Sequence, residues 1–139
     1  MTEFISDVKT LLYNDADVYR VLSDPRKLEL VKEQIPEDKI KDFTFDEESI
    51  SFRVDPVGKV RFLVVEREPH KLVKLKSEQL PFDVFLWIQL VSKSEKETRL
   101  RITLRAELNS FIKGIVQKPM KEAVDILSEA LTRLPYDQL

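Results

Sequence analysis

The 139-residue chain contains no cysteine. That excludes disulfides and any thiolate-bound zinc site. It has two glycines, Gly58 and Gly114, too few and too far apart to build a glycine-rich phosphate loop. No stretch approaches the roughly 20 consecutive apolar residues that cross a bilayer. Near the N-terminus, Asp7 and Lys9 stand where a secretory leader needs an apolar block. Neither sign of charge dominates: 23 Lys plus Arg against 25 Asp plus Glu leave a net −2, whereas a dedicated nucleic-acid binder is usually basic. The expectation from these absences is a cytoplasmic protein with no cofactor, no metal, no nucleic-acid partner and no stable membrane insertion.

What is present is core-forming. Apolar residues make up 42% and charged residues 35% of the chain, a globular balance. A chain of this length fits one domain, residues 1–139, able to bury about two-thirds of its surface. Residues 3–13 alternate and predict a strand. Asn14 or Asp15 then caps a short helix carrying Val18, Val21 and Leu22. Asp24-Pro25 caps and starts a second, with Leu28, Leu30, Val31 and Ile35, which Pro36 ends. Strands are predicted over 40–45, 49–54, 59–67, 71–79, 81–93 and 98–108. They are punctuated by Asp46-Glu47-Glu48, Asp55-Pro56-Val57-Gly58, Glu68-Pro69-His70 and Ser94-Glu95-Lys96. In the last of them Leu100, Ile102, Leu104, Ala106 and Leu108 alternate with Arg99, Arg101, Thr103, Arg105 and Glu107, one dry face and one wet. Residues 109–134 form a long helix capped by Asn109 or Ser110. Its stripe is Ile112, Val116, Met120, Ala123, Leu127, Leu131 and Leu134. Pro119 inside it predicts a kink, or the start of a second helix.

This order is a strand, two short helices, six strands and a long helix. The segments FISDVKTLLYNDADVYRVLSDPRKL, FLVVEREPHKLVKLKSE, PFDVFLWIQLVSKSEKETRLRITLRAEL and KPMKEAVDILSEALTRLP carry it. On these residues, and over nearly its whole length, the chain resembles the START-like (SRPBCC) superfamily of pollen-allergen-type proteins, polyketide cyclases and lipid-transfer domains. It is most similar to small bacterial single-domain members of unassigned function. The resemblance implies an α+β helix-grip fold, with a seven-stranded curved antiparallel sheet around the C-terminal helix. It also implies a cavity between the two for a small hydrophobic molecule such as a lipid, quinone or polyketide-like compound. One departure is that Asp46-Glu47-Glu48-Ser49 stands where pollen-allergen-type members carry a glycine-rich loop, which argues against a phosphate-binding role for that turn.

Inner strand faces and the helix stripe would supply the cavity wall. The expected ligand-binding residues are Phe52, Phe62, Val73, Leu75, Leu86, Ile88, Ile102, Leu104, Ile112, Val116 and Met120. No catalytic residue is assigned. A cyclase- or hydrolase-type enzyme would instead draw on inward polar groups such as Ser6, Thr10, Glu66 and Ser77. His70, the only histidine, reads as an exposed turn residue, Asp46-Glu47-Glu48 as a solvated hairpin tip, and Arg99, Arg101 and Arg105 as a wet sheet face. The run Val84-Phe85-Leu86-Trp87-Ile88 is apolar at both parities. Placing Val84, Leu86 and Ile88 inward leaves Phe85, Trp87 and Gln89 outside beside Leu63 and Val65, with Trp87 near the arginines of the next strand. A homodimer through that outer face is then expected. The opposite parity would put Trp87 in the cavity.

Overall fold

Wherever one parity of the sequence is apolar, the chain forms a strand and turns that parity inward. The structure, a computed structural model, describes residues 2–36, 38, 40–55 and 57–139. Its elements run β1 (Thr2–Ile5), β2 (Lys9–Leu11), α1 (Asp15–Leu22), a 3₁₀ helix (Pro25–Gln34), β3 (Lys41–Phe45), β4 (Ser49–Val54), β5 (Gly58–Glu68), β6 (Leu72–Glu78), β7 (Val84–Ser94), β8 (Glu97–Ala106) and α2 (Ser110–Thr132). The eight strands form one open antiparallel sheet in the order β1-β8-β7-β6-β5-β4-β3, with β2 also paired to β8. The first strand thus sits beside the last. α1 and the 3₁₀ helix carry the chain across to the far edge, and α2 fills the concave face.

The single first strand read from the alternation is two strands, which raises the count from seven to eight. Ile5 pairs Thr103 while Lys9 pairs Leu100, so four steps on one strand meet three on the other. The extra residue is a bulge. Ser6 closes it: its N–H donates to the Ile102 carbonyl and its hydroxyl accepts from the Ile102 N–H, both at 2.9 Å. A second bulge in β5, between Val64 and Glu66, turns Val65 outward.

Capping follows the predicted chemistry. Asn14 accepts from the Asp17 N–H at 2.8 Å, Asp24 from Arg26 at 3.0 Å, and Asn109 from Ile112 at 2.8 Å. The second short helix is 3₁₀ rather than α. Its buried residues Pro25, Leu28 and Val31 recur every three positions, the spacing that three residues per turn brings to one side. Leu30, between them, is exposed. α2 continues through Pro119 as one helix. The carbonyl that loses its donor belongs to Ile115, on the solvent side, where water can serve it. The acidic turn is an ordered tip: the Asp46 carboxylate accepts from the Glu48 N–H and the Ser49 hydroxyl, and Arg26, Arg61 and Arg67 pair Glu47, Asp46 and Glu48. In the following turn Gly58 adopts φ +92°, a conformation that favours glycine; Pro56 of that turn lies outside the described residues. His70 also takes a positive φ, 66°, in its turn, exposed and edge-on to Tyr19 with ring centroids 5.9 Å apart. No helix among the described residues is long and apolar enough to cross a membrane.

Candidate functional site

Register decides which side chains share the concave face. Leu75, Leu86 and Leu104 form one cross-strand row, and Val73, Ile88 and Ile102 the next. β3 and β4 add Phe43, Phe45, Ile50 and Phe52, the 3₁₀ helix adds Leu28 and Val31, and α2 adds Ala123, Val124, Leu127 and Leu131. The rows do not close completely against the helix. A cavity of about 70 Å³ remains, lined by these residues with Ile35, Ile40 and Phe62. A second, of about 50 Å³, lies beside it between α2 and the β4–β5 and β6–β7 connections, walled by Val54, Val57, Val60, Leu80, Val84, Pro119 and Met120. Phe52, Phe62, Leu104 and Ala123 belong to both walls. The Phe52 and Phe62 rings stack with centroids 5.9 Å apart and so stand between the two spaces. Phe43, stacked on Phe45 at 5.7 Å and tilted against Phe52 at 5.5 Å, extends this aromatic group to the β3 edge.

Both walls are hydrocarbon throughout. Water is not held in such a space, because it needs two or more polar partners. An empty void of the larger one's size costs about 2 kcal/mol when its surroundings do not relax, a cost a domain of ~5–15 kcal/mol stability can carry. A polar depression lined by Asp38, Asp55 and Glu122 adjoins both, sharing Ile40 and Ala123 with the first and Val54, Pro119 and Ala123 with the second.

Of the eleven residues expected to bind ligand, Phe52, Phe62, Leu75, Leu86, Ile88, Leu104 and Met120 line one or both cavities. Val73, Ile102 and Val116 are buried in solid core, and Ile112 is half-buried near the start of α2. Sequence reasoning missed the wall contributed by the 3₁₀ helix and β3. The signal was available in the apolar Leu28, Val31, Phe43 and Phe45, but not their destination. Of the polar groups an enzyme was expected to use, Thr10 and Glu66 are exposed. Ser6 serves the bulge, and the Ser77 hydroxyl accepts from the Val84 N–H at 3.0 Å. None of the four lines either cavity.

β7 resolves its double apolar parity. Val84, Leu86, Ile88 and Leu90 are buried inward, and Phe85, Trp87 and Gln89 take the outer face, half-buried. The outer aromatics are covered by their own chain. Lys74 lies 5.0 Å over both rings, Lys76 5.6 Å over Phe85, and Arg105 5.9 Å over Trp87. Gln89 accepts from Arg101 and Thr103 on β8. Cation–π attraction and long apolar stems thus shield an apolar strip on a wet face.

Comparison with known structures agrees with this architecture. Norcoclaurine synthase from Thalictrum flavum, solved in complex with dopamine and hydroxybenzaldehyde, superposes with a TM-score of 0.73 at 11% identity, over 99% of this chain and 88% of that one. A START superfamily protein from Mycobacterium smegmatis gives 0.67 at 14% identity, over 94% of both chains. A protein from Thermus thermophilus gives 0.65 at 22% identity, again over 94% of both. No family model matches the sequence, and no curated protein matches it. The chain therefore has the START-like helix-grip fold: an α+β architecture in which a curved antiparallel sheet holds a long C-terminal helix.

Proposed function

We propose that the protein binds a small hydrophobic ligand between the sheet and α2, and that the ligand is a hydrocarbon-bearing lipid rather than a polar-ring compound. The observation that carries this reading is the wall: every residue around both cavities is apolar. A quinone carbonyl or polyketide hydroxyl buried there would lose water without gaining a partner, at about 1–3 kcal/mol each. An acyl or prenyl chain loses nothing, and its polar end would rest in the depression at Asp38 and Asp55. The same wall offers no group to exchange a proton or attack a substrate, which favours a binder over a catalyst. At about 70 and 50 Å³ the cavities are contracted, below the ~150 Å³ that admits benzene in an engineered apolar cavity. Binding therefore requires Phe52 or Phe62 to rotate, which would join the two spaces into one channel along α2.

Incubation with a cell lipid extract followed by native mass spectrometry tests this. A chain-bearing adduct is expected, with a rise in melting temperature equivalent to about 3 kcal/mol at a hundredfold excess over Kd. Ala123→Leu, which pushes a larger side chain into both spaces, should abolish the adduct while leaving the chain folded. No adduct and no thermal shift from any lipid class, or undiminished binding by Ala123→Leu, would refute the reading.

A further inference from the structure

Resting on the ligand-binding reading above, we infer that the guest enters through the seam between the 3₁₀ helix and β3, with Ile40 and Phe43 as its gate. On the inner side of the seam these two residues line the larger cavity, opposite Leu28 and Val31 of the 3₁₀ helix. On the outer side they line a surface groove of about 480 Å³, whose other walls are Lys32, Glu33, Lys41 and Asp42. Among the described residues, Ile40 and Phe43 are the two that the cavity and the groove share. Ile40 also borders the polar depression at Asp38 and Asp55. A chain drawn in past Ile40 therefore leaves its polar end beside that depression.

The seam is also where the wall resists opening least. β3 is an edge strand, paired on one side only, by β4. A bulge interrupts that pairing: three steps from Lys41 to Thr44 meet two from Arg53 to Ser51. Within it Asp42 holds φ 59°, a left-handed conformation that strains a residue with a side chain, and Phe43 follows directly. The 3₁₀ helix runs ten residues, whereas such windings, with their poorer hydrogen bonds, rarely exceed about four. Its closing bond, from the Ile35 N–H to the Lys32 carbonyl, is 3.5 Å long. Among the described residues no hydrogen bond or ion pair crosses from this helix to β3; Arg26 reaches only the turn beyond, at Glu47. Local opening falls to segments held this weakly. The other route inward, past Val54, Pro119 and Ala123, is flanked by β4, paired on both sides, and by the long α2, so opening it breaks far more.

A removable tether tests the gate. The chain has no cysteine, so Lys32→Cys with Lys41→Cys supplies two unique thiols. Both positions are exposed and face each other across the groove, one from the helix and one from β3. A short bismaleimide with a reducible link joins them. Stopped-flow fluorescence then follows uptake and release of cis-parinaric acid, a fatty acid whose emission rises in an apolar cavity. With the tether closed, both rates should fall about tenfold or more, the affinity at equilibrium should stay within about threefold, and reductant should restore the rates. Ile40→Ala, with its fold checked by thermal melting, should raise both rates together, where loss of a wall contact would speed release alone. In the ligand-free protein the 3₁₀ helix and β3 should exchange amide hydrogens ahead of β7 and β8, and the tether should slow them. Uptake by the tethered protein at the rate of the untethered variant, or exchange in β3 as slow as in β7, overturns the gate alone. A chain that takes up neither the probe nor any lipid from a cell extract overturns the gate together with the ligand-binding reading.

Discussion

Tyr136 shows how much one residue can hold at the end of this chain. Its hydroxyl donates to the Leu131 carbonyl at 2.6 Å, one of the last carbonyls of α2, which have no helical partner. Its ring is fully buried, edge-on to Tyr13 with centroids 5.5 Å apart. Burial, and secondarily the neighbouring Tyr13, pushes its phenol far above the ordinary tyrosine range. An unfolded phenol ionises near pH 10. The contribution of Tyr136 is therefore complete below about pH 10 and is lost as pH rises further, because the unfolded chain then releases a proton the folded one keeps. Tyr136→Phe should cost about 1–2 kcal/mol at neutral pH and flatten the alkaline decline. Urea melts at pH 7 and at about pH 10.5 measure both effects; an equal alkaline loss in the variant would contradict the assignment. The carboxylates of Asp24, Asp46 and Glu129 move the other way. Hydrogen bonds from Arg26, from Ser49 and from Lys9, respectively, are the main cause of their lowered values. What they add is present above about pH 4 and fades as pH falls through those lowered values.

At the level of elements, period and capping were legible and irregularities were not. Asn14, Asp24 and Asn109 were recognisable caps because an Asx side chain reaches its own backbone within three residues. The β1–β2 bulge was invisible because the group that completes it, Ser6, accepts from Ile102, 96 positions away. Ser6→Ala leaves that buried N–H without an acceptor, at about 1–3 kcal/mol. The melting temperature should fall by several degrees, and the Ile102 amide should exchange faster. A variant with unchanged exchange there would show that the bulge does not depend on the hydroxyl. The 3₁₀ segment has a parallel lesson. Leu28 and Val31 fit either helix type locally, and packing of Pro25, Leu28 and Val31 on one side accompanies the tighter winding.

Over the whole molecule, the sheet separates two environments that β7 touches at once. Cavity-lining Leu86 and Ile88 alternate with outward Phe85 and Trp87. Trp87 is the only tryptophan, so its emission reports the outer face. Filling the cavity with a lipid should leave that emission within a few nanometres of its starting wavelength, about as expected for a ring whose covering cations do not move. Lys74→Ala with Arg105→Ala, which removes both cations over the Trp87 ring, should instead expose it to acrylamide. A large shift on ligand binding alone would place the guest, or a coupled rearrangement, on the outer face.

The sequence by itself determined the parts that short-range rules govern: alternation for the strands, Asx caps and a proline start for the helices, and a striped final helix; the helix-grip architecture was implied by the family resemblance that their order carries. Seven of the cavity-lining residues were within reach because an inward parity is inherited along a strand. Only the tertiary structure decided how much space was left between sheet and helix, that Phe52 and Phe62 divide it, and that the 3₁₀ helix and β3 complete its wall. It also chose between the two parities of β7 and set Lys74 and Lys76 over the outer aromatics, beside the arginine contact to Trp87 that the outward parity implied. Each of those outcomes depends on side chains far apart in sequence meeting across a curved sheet, and a void is a property of how they fail to meet, which no local pattern encodes.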